Sequence, residues 1–180
     1  MNKVKVCYIL MLCALFTSCD IGGSESDKKS KPINYADNPA FKDAVIKNDV
    51  ELEGSGVKLK EAYLMNKDQV RLTTNEVKVG EYIYLVLVMD TGWTKIDGKS
   101  YLGASEKIVT SRGKTVVEAE DIFKEYETTG YSAEDAAFIR LSAVITQADE
   151  GIENFVVHFR VWDKKGPGEI KGKYRFKIVD

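Results

Sequence analysis

The stretch that decides the fold reads FIRLSAVIT (138–146), then FVVHFRVW (155–162), then KGKYRFKIV (171–179). Apolar and polar residues alternate in each run with a period of two, which is the pattern of a strand with one face on a core and the other in solvent. The gaps at 147–154 and 163–168 are rich in residues that favour turns. The stretch therefore predicts three consecutive antiparallel strands, a meander, with a basic outer face.

The outward positions of this meander hold the candidate ligand-binding residues. They are His158, Arg160, Trp162, Lys171, Lys173, Arg175 and Lys177, with Arg140 expected to join them from the first run. A register that sets Val157 opposite Phe176 keeps the inner face apolar. The same register predicts three outward pairs, which are Trp162 with Lys171, Arg160 with Lys173, and His158 with Arg175. No acid occupies these positions.

Like charges that lie directly across a pair of strands destabilise a sheet, so the basic stripe needs an explanation. One interpretation is that Lys and Arg protect an edge strand against aggregation, helped by acids from elsewhere such as those in 118–127. The other is a binding site for an anionic ligand, such as an acidic glycan or a lipid headgroup, with Trp162 as a stacking wall. The pattern alone leaves both open.

The remaining segments predict further short strands and a few helical turns. Alternation at 57–65 and at 77–89 predicts two strands, and the second is apolar on both faces, which is typical of a central strand covered on both sides. Hairpins are expected around Asp97-Gly98 and around 111–113. Short helices are expected at 38–47, 118–127 and 132–135. Together these features predict an all-β fold, an antiparallel β-sandwich with one to three short helices.

Residue types that carry chemistry are sparse in this chain. His158 is the sole histidine, and the three cysteines are Cys7, Cys13 and Cys19. Without a nucleophile and an orienting acid near His158 in the sequence, we expect no catalysis and no cofactor. Acids at predicted strand ends are Asp90, Asp97, Asp149, Glu150 and Asp163; they suit either turns or a calcium site, and turns favour Asp in any case.

The N-terminus has the three parts of a secretory signal. Lys3 and Lys5 form a cationic segment, residues 6–16 form an apolar segment too short to span a bilayer, and Leu15-Phe-Thr-Ser-Cys19 closes it. Residues 19–32 are mostly Gly, Ser and charged residues, which predicts a solvated tether, and residues 33–180 then suit one domain. Loss of residues 1–18 would remove two lysines and no acid, leaving 24 basic and 28 acidic residues and a formal charge of −4.

The closing segment Leu15–Cys19 resembles the lipobox of bacterial lipoproteins, including the relaxed lipoboxes of Bacteroidota-type cell-envelope lipoproteins. That resemblance implies cleavage before Cys19, lipidation of Cys19, and anchoring in the cell envelope, with the outer membrane favoured. The last strands also resemble those of extracellular Ig-like adhesion domains. The implied protein is a non-catalytic binding or adhesion module for a glycan or protein ligand. The alternatives are a structural accessory subunit of an envelope complex and a small hydrolase, and mild acidity argues against nucleic acid as a partner.

Overall fold

The structure is a computed structural model that describes Tyr35, residues 37–147, Gly151 and residues 153–179. These residues belong to the unit Ile33–Asp180. The expected signal peptide, Cys19 and tether lie outside the described residues. In the described part of the chain, no helix has the length and apolar composition needed to cross a membrane.

Strands make up most of the described chain. They are β1 (Val45–Ile46), β2 (Glu51–Ser55), β3 (Lys58–Asn66), β4 (Glu76–Lys78), β5 (Tyr82–Thr91), β6 (Lys99–Ser100), β7 (Leu102–Thr110), β8 (Thr115–Ala119), β9 (Tyr131–Ser132), β10 (Phe138–Val144), β11 (Asn154–Asp163) and β12 (Glu169–Val179). One α-helix, α1 (Ala133–Ala137), and one 3-10 turn, Lys124–Tyr126, complete the elements that the described residues form. The prediction of an all-β fold is confirmed.

Two main sheets form the sandwich. A four-stranded sheet has the order β1-β3-β5-β10, and a six-stranded sheet has the order β2-β12-β11-β7-β8 with β4 also paired to β12. Most neighbours are antiparallel, whereas β1 pairs with β3 and β4 pairs with β12 in parallel. The pair β6-β9 forms a small third sheet.

The core lies between the two sheets and is filled from their alternating inward positions. Leu85 and Leu87 of β5 and Val157 and Tyr174 of the six-stranded sheet are fully buried within one apolar cluster. Alternation in the sequence therefore identified the core face correctly, because successive side chains of a strand point to opposite faces.

The predicted meander is wrong in its first strand. β10 does not pair with β11; it pairs antiparallel with β5 in the opposite sheet, with Leu141 opposite Leu85. β11 and β12 do pair with each other, as expected. Both β5 and β11 present apolar inner faces to the core, so the alternation in β10 does not decide between them as neighbours.

The apolar run 77–89 is two strands rather than one. β4 pairs with β12 and β5 lies in the other sheet, so the chain changes sheet at residues 79–81. Gly80 has φ of +81° at this point, and the Glu81 carboxylate accepts a hydrogen bond from the Lys78 amide at 3.0 Å. β5 is an internal strand, but no sheet covers its outer face among the described residues, where Tyr82 is exposed and Val86 is buried.

The predicted turns and the predicted helix cap are present, but one hairpin has shorter arms than expected. The Asp97-Gly98 turn is present, with positive φ at both residues, although its arms end after the single Ile96–Lys99 bridge. The hairpin around 111–113 is confirmed as β7-β8. Ser132 caps α1 by accepting from the Asp135 amide at 3.0 Å, as the capping-box pattern predicted.

Two predicted helices are absent. Residues 38–43 form turns, after which Val45–Ile46 joins the sheet as β1, because pairing with β3 outweighs the weak helical pattern. In 118–127, the first two residues belong to β8, and the helical part is the three-residue 3-10 helix Lys124–Tyr126 with turns on either side. Asp121 joins this segment to β7, because its carboxylate accepts hydrogen bonds from the Phe123 amide at 3.1 Å and from the Ala104 amide of β7 at 3.3 Å.

Candidate binding groove on the six-stranded sheet

Rows of outward side chains cross the six-stranded sheet from β2 to β8. The register aligns Glu51, Lys173, His158, Lys107 and Glu118 in one row, one residue from each of five strands. The next row begins with Glu53, Lys171, Arg160 and Ser105. Acids on the outer strands therefore flank bases on the inner strands.

The predicted register between β11 and β12 is wrong by two residues. His158 lies opposite Lys173, Arg160 opposite Lys171, and Trp162 opposite Glu169. The shift arises because the connection is tighter than expected. The Asp163 amide donates to the Gly168 carbonyl at 2.7 Å, and the Asp163 carboxylate accepts from the Lys165 amide at 2.8 Å, so β12 already begins at Glu169.

The bases of this face are ion-paired. The pairs are Lys173–Glu51 at 3.0 Å, Arg175–Glu51 at 2.6 Å, Lys171–Glu53 at 3.1 Å, Arg160–Glu169 at 2.6 Å, Lys177–Glu153 at 3.3 Å and Lys107–Glu118 at 3.2 Å. β2 supplies Glu51 and Glu53, which the sequence pattern did not connect to the stripe. The edge-guard interpretation is also wrong, because β12 is an internal strand with β11 on one side and β2 and β4 on the other.

Arg140 does not join the other candidate residues. It lies on β10, in the four-stranded sheet, with its guanidinium 5.9 Å from the centroid of the Phe138 ring. The error follows from the mistaken meander, since a strand that changes sheet carries its outward side chains to the opposite side of the sandwich.

A groove of about 660 Å³ lies across this face. Its outward-facing lining residues are Glu51, Glu53, Ser105, Lys107, Glu118, Glu120, His158, Arg160, Lys171 and Lys173, and its floor is completed by the inward-facing positions Leu52, Glu106, Ala119, Phe159 and Gly172. Four of the predicted ligand-binding residues line it: His158, Arg160, Lys171 and Lys173. Lys107 of β7, which was not predicted, joins them there. Trp162, Arg175 and Lys177 lie outside the lining.

Trp162 is held flat against the sheet beside the groove. Its ring lies over Gly103 of β7, where a Cβ atom would collide with the indole. The Arg160 guanidinium is 4.9 Å from the centroid of the Trp162 ring while it bonds to Glu169. The indole therefore positions Arg160 at the groove margin and does not itself form a groove wall.

Electrostatics within the groove are dominated by its ion pairs. Burial alone would raise the pKa of the Glu51 carboxyl, but hydrogen bonds from Arg175 and Lys173 outweigh it and hold that pKa below its ordinary value. The pKa of His158 is lowered, first by partial burial and then by the charges of Lys173, Arg175 and Lys107. His158 is therefore a neutral imidazole at neutral pH, able both to donate and to accept a hydrogen bond.

Glu106 differs from the other acids of the groove. It lies on the inward face of β7 and is only 6% exposed, and burial raises its pKa to about 8. Its Oε1 atom and the hydroxyl of fully buried Tyr174 have no hydrogen-bond partner in the described structure. The carboxyl is therefore protonated at neutral pH, since ionisation without a partner in the core is costly. The sequence analysis did not identify Glu106 as a buried residue, because an acid in an alternating strand is expected to face solvent.

The turn acids do not gather into a metal site. Asp90 pairs with Lys60 at 3.0 Å and Lys58 at 3.6 Å, and Asp163 accepts from the Thr94 amide at 2.6 Å. No group of three or more potential metal ligands forms in the described part of the chain. Asp149 and Glu150 lie outside the described residues.

No family model and no curated protein matches this chain. Among solved structures, it is similar to the crystal structure of the C-terminal domain of wzt, with a TM-score of 0.48 and 8% sequence identity over 81% of this chain and 84% of that chain.

Proposed function

We propose that this protein is a lipid-anchored, non-catalytic binding module of the cell envelope, and that the groove on its six-stranded sheet holds an extended, polar and uncharged glycan. The observation that supports this most is the groove itself, which is about 660 Å³ and runs across five strands. Its volume falls within the roughly 300–1,000 Å³ typical of small-ligand sites.

The paired charges of the groove favour an uncharged ligand. Lys173 and Lys171 are already neutralised by Glu51 and Glu53, so an anion would have to compete with acids for each cation. Sugar hydroxyls avoid this competition, because a hydroxyl donates to a carboxylate and accepts from an ammonium or guanidinium group without breaking the ion pair. Neutral His158 adds a further donor and acceptor in the middle of the groove.

Binding of neutral oligosaccharides by the full-length chain tests the proposal. Ser105 lies in the groove next to Arg160, so Ser105→Tyr should fill the space and reduce affinity at least tenfold. Lys177→Gln is the matched control, since Lys177 lies on the same face outside the groove, and it should bind as the unaltered chain does. Binding that Ser105→Tyr leaves unchanged would place the ligand elsewhere.

The response to salt separates a neutral ligand from an anionic one. Affinity for a neutral glycan should change little between low and physiological ionic strength, whereas charge-driven binding weakens as salt screens the cations. A steep loss with salt, together with preference for acidic glycans on an array, would restore the anionic ligand.

The proposal of lipid anchoring is supported by the cationic segment, the apolar segment and the lipobox-like residues that precede Cys19. Replacing Cys19 by Ala should release the protein from the membrane fraction, because the acceptor of the lipid is lost. A Cys19→Ala variant that remains in membranes with its N-terminal segment uncleaved would identify that segment as an anchor in its own right.

A further inference from the structure

In the described part of the chain, the outer face of the four-stranded sheet has an apolar centre, and the sheet ends at β10 with no further strand beside it. Tyr63, Met65 and Val86 form a second buried cluster there, with Tyr84 and Val88 packed against it. Within the described residues β10 pairs with β5 alone, so its other side is a sheet edge. The backbone groups on that side are available for pairing with another strand.

β10 lacks the features that usually prevent edge pairing. Its seven residues, FIRLSAV, contain no proline, lysine or acid, and its register with β5 has no bulge. Arg140 is its single charge. The edge strands of the other sheet differ, because β2 carries Glu51 and Glu53 and β8 carries Glu118. Sheet edges are normally blunted by charges, prolines or bulges, so an edge without them is suited to a partner.

We propose that β10 is a dimerisation strand, which pairs antiparallel with β10 of a second copy about a twofold axis at Leu141. Pairing about Leu141 aligns all seven residues of both strands and keeps inward residues opposite inward residues. An axis at Arg140 would set Arg140 opposite its own copy, which is a repulsive pair. An axis at Ser142 would leave Phe138 and Ile139 unpaired.

The proposed register also covers the exposed apolar side chains at the ends of the strand. Phe138 and Tyr82 are 42% and 45% exposed. In the dimer, Phe138 lies opposite Val144 of the second copy, and Tyr82 of that copy is on the next strand, opposite the same Val144. Phe138 and Tyr82 of the second copy therefore flank the same Val144 on the outer face, twice by symmetry, and each ring can cover part of it. A twofold contact of this kind closes on itself and does not propagate into a fibre.

The register makes a prediction about charge at Ser142, because Ser142 lies opposite Arg140 of the second copy. Ser142→Glu should tighten the dimer and Ser142→Lys should weaken it, each by roughly threefold to thirtyfold in the dissociation constant, since the dimer contains the pair twice. General repulsion between acidic chains would have the opposite sign. The double variant Arg140→Glu with Ser142→Lys should restore pairing that Ser142→Lys weakens.

Sedimentation of the full-length chain in density-matched detergent measures these dissociation constants. Protein concentrations between roughly 1 and 100 µM cover the affinities expected of a small interface. Thr115→Glu and Thr115→Lys on the edge strand β8 are the controls and should leave the dimer unchanged. A chain that stays monomeric throughout this range would overturn the proposal. So would Ser142 variants that shift association in the same direction, or Thr115 variants that shift it more.

Discussion

The outer faces of the two sheets contain opposite chemistry on the same architecture. The six-stranded sheet presents bases on inner strands and acids on flanking strands, so its charges are satisfied by ion pairs such as Lys173–Glu51. The four-stranded sheet presents aromatic and aliphatic side chains, and Val86 is buried there without a covering sheet among the described residues. Outward position alone therefore does not determine polarity. The two proposals follow this division, since the ligand is proposed for the charged face and the dimer contact for the edge strand β10 of the apolar sheet.

The largest expected effect tests the four-stranded sheet. Leu85→Ala on its inner face should lower the free energy of unfolding by about 2–5 kcal/mol, through lost transfer energy and a cavity. Val86→Ala on the outer face is the matched variant, and it should cost about 1–2 kcal/mol because two methyl groups lose burial. Chemical denaturation measures both. If the Val86 variant were neutral, the outer apolar cluster would contribute nothing and the contrast with the charged face would disappear.

The next effect tests Glu106, a buried acid on the inner face of the six-stranded sheet. Burial raises the pKa of Glu106 to about 8, so its unfolded form ionises first as the pH rises. The folded state loses this stabilisation as the pH rises from about 4.5, the unfolded pKa, towards about 8, and the loss in the free energy of unfolding reaches about 3 kcal/mol by pH 7. Glu106→Gln should not show this loss, so the difference in free energy of unfolding between the unaltered protein and the variant should change across this pH range. Parallel curves for both proteins would show that Glu106 is ionised and solvated in the folded state.

Acids of the outer face should show the opposite dependence on pH. The pKa of Glu51 is lowered by its bonds to Arg175 and Lys173, so its stabilising effect is present above the unfolded pKa and is lost as the pH falls through the folded value. Because the two acids change the free energy of unfolding in opposite directions with pH, Glu106→Gln should be compared with the unaltered protein at each pH. The contributions of carboxylates that both proteins share, such as Glu51, then cancel in the difference.

The smallest effect concerns the ion pairs of the groove. Glu51→Gln should cost about 1 kcal/mol, because it leaves Lys173 and Arg175 without their carboxylate in a partly buried row. Glu53→Gln, at a more exposed pair with Lys171, should cost less than about 0.5 kcal/mol. Thermal unfolding at low and high salt measures both. Equal costs for the two variants would mean that burial does not strengthen the Glu51 pairs.

Much of the fold could be predicted because its signals are local. The alternation in β11 and β12 identified their inward faces, and Asp97-Gly98 and the Ser132 cap identified a turn and a helix start. The place of β10 could not be predicted in this way. Its pattern fits any partner strand with an apolar face. Its pairing with β5 means that the chain crosses to the other sheet between β10 and β11, and the pattern of β10 does not show this crossing.

The candidate site shows the same division. Four of the predicted residues, His158, Arg160, Lys171 and Lys173, do line the groove, since alternation is enough to place them outward. Their acid partners could not be found, because Glu51 and Glu53 lie more than a hundred residues away in the chain and reach β12 only through the pairing of β2. The two-residue shift in register came from the Asp163 turn, whose hydrogen bonds depend on Thr94 from a distant segment.

The sequence by itself determined that this protein is an all-β sandwich, which side chains face its core, and which bases face outward, because side-chain direction along a strand follows from a period of two. Only the tertiary structure decided which strands are neighbours. That decision neutralised the basic stripe with acids from β2, sent Arg140 to the opposite face, and buried Glu106 between the sheets. Strand pairing is a long-range choice, made by the fit of whole faces and by turn geometry, and local pattern does not contain it.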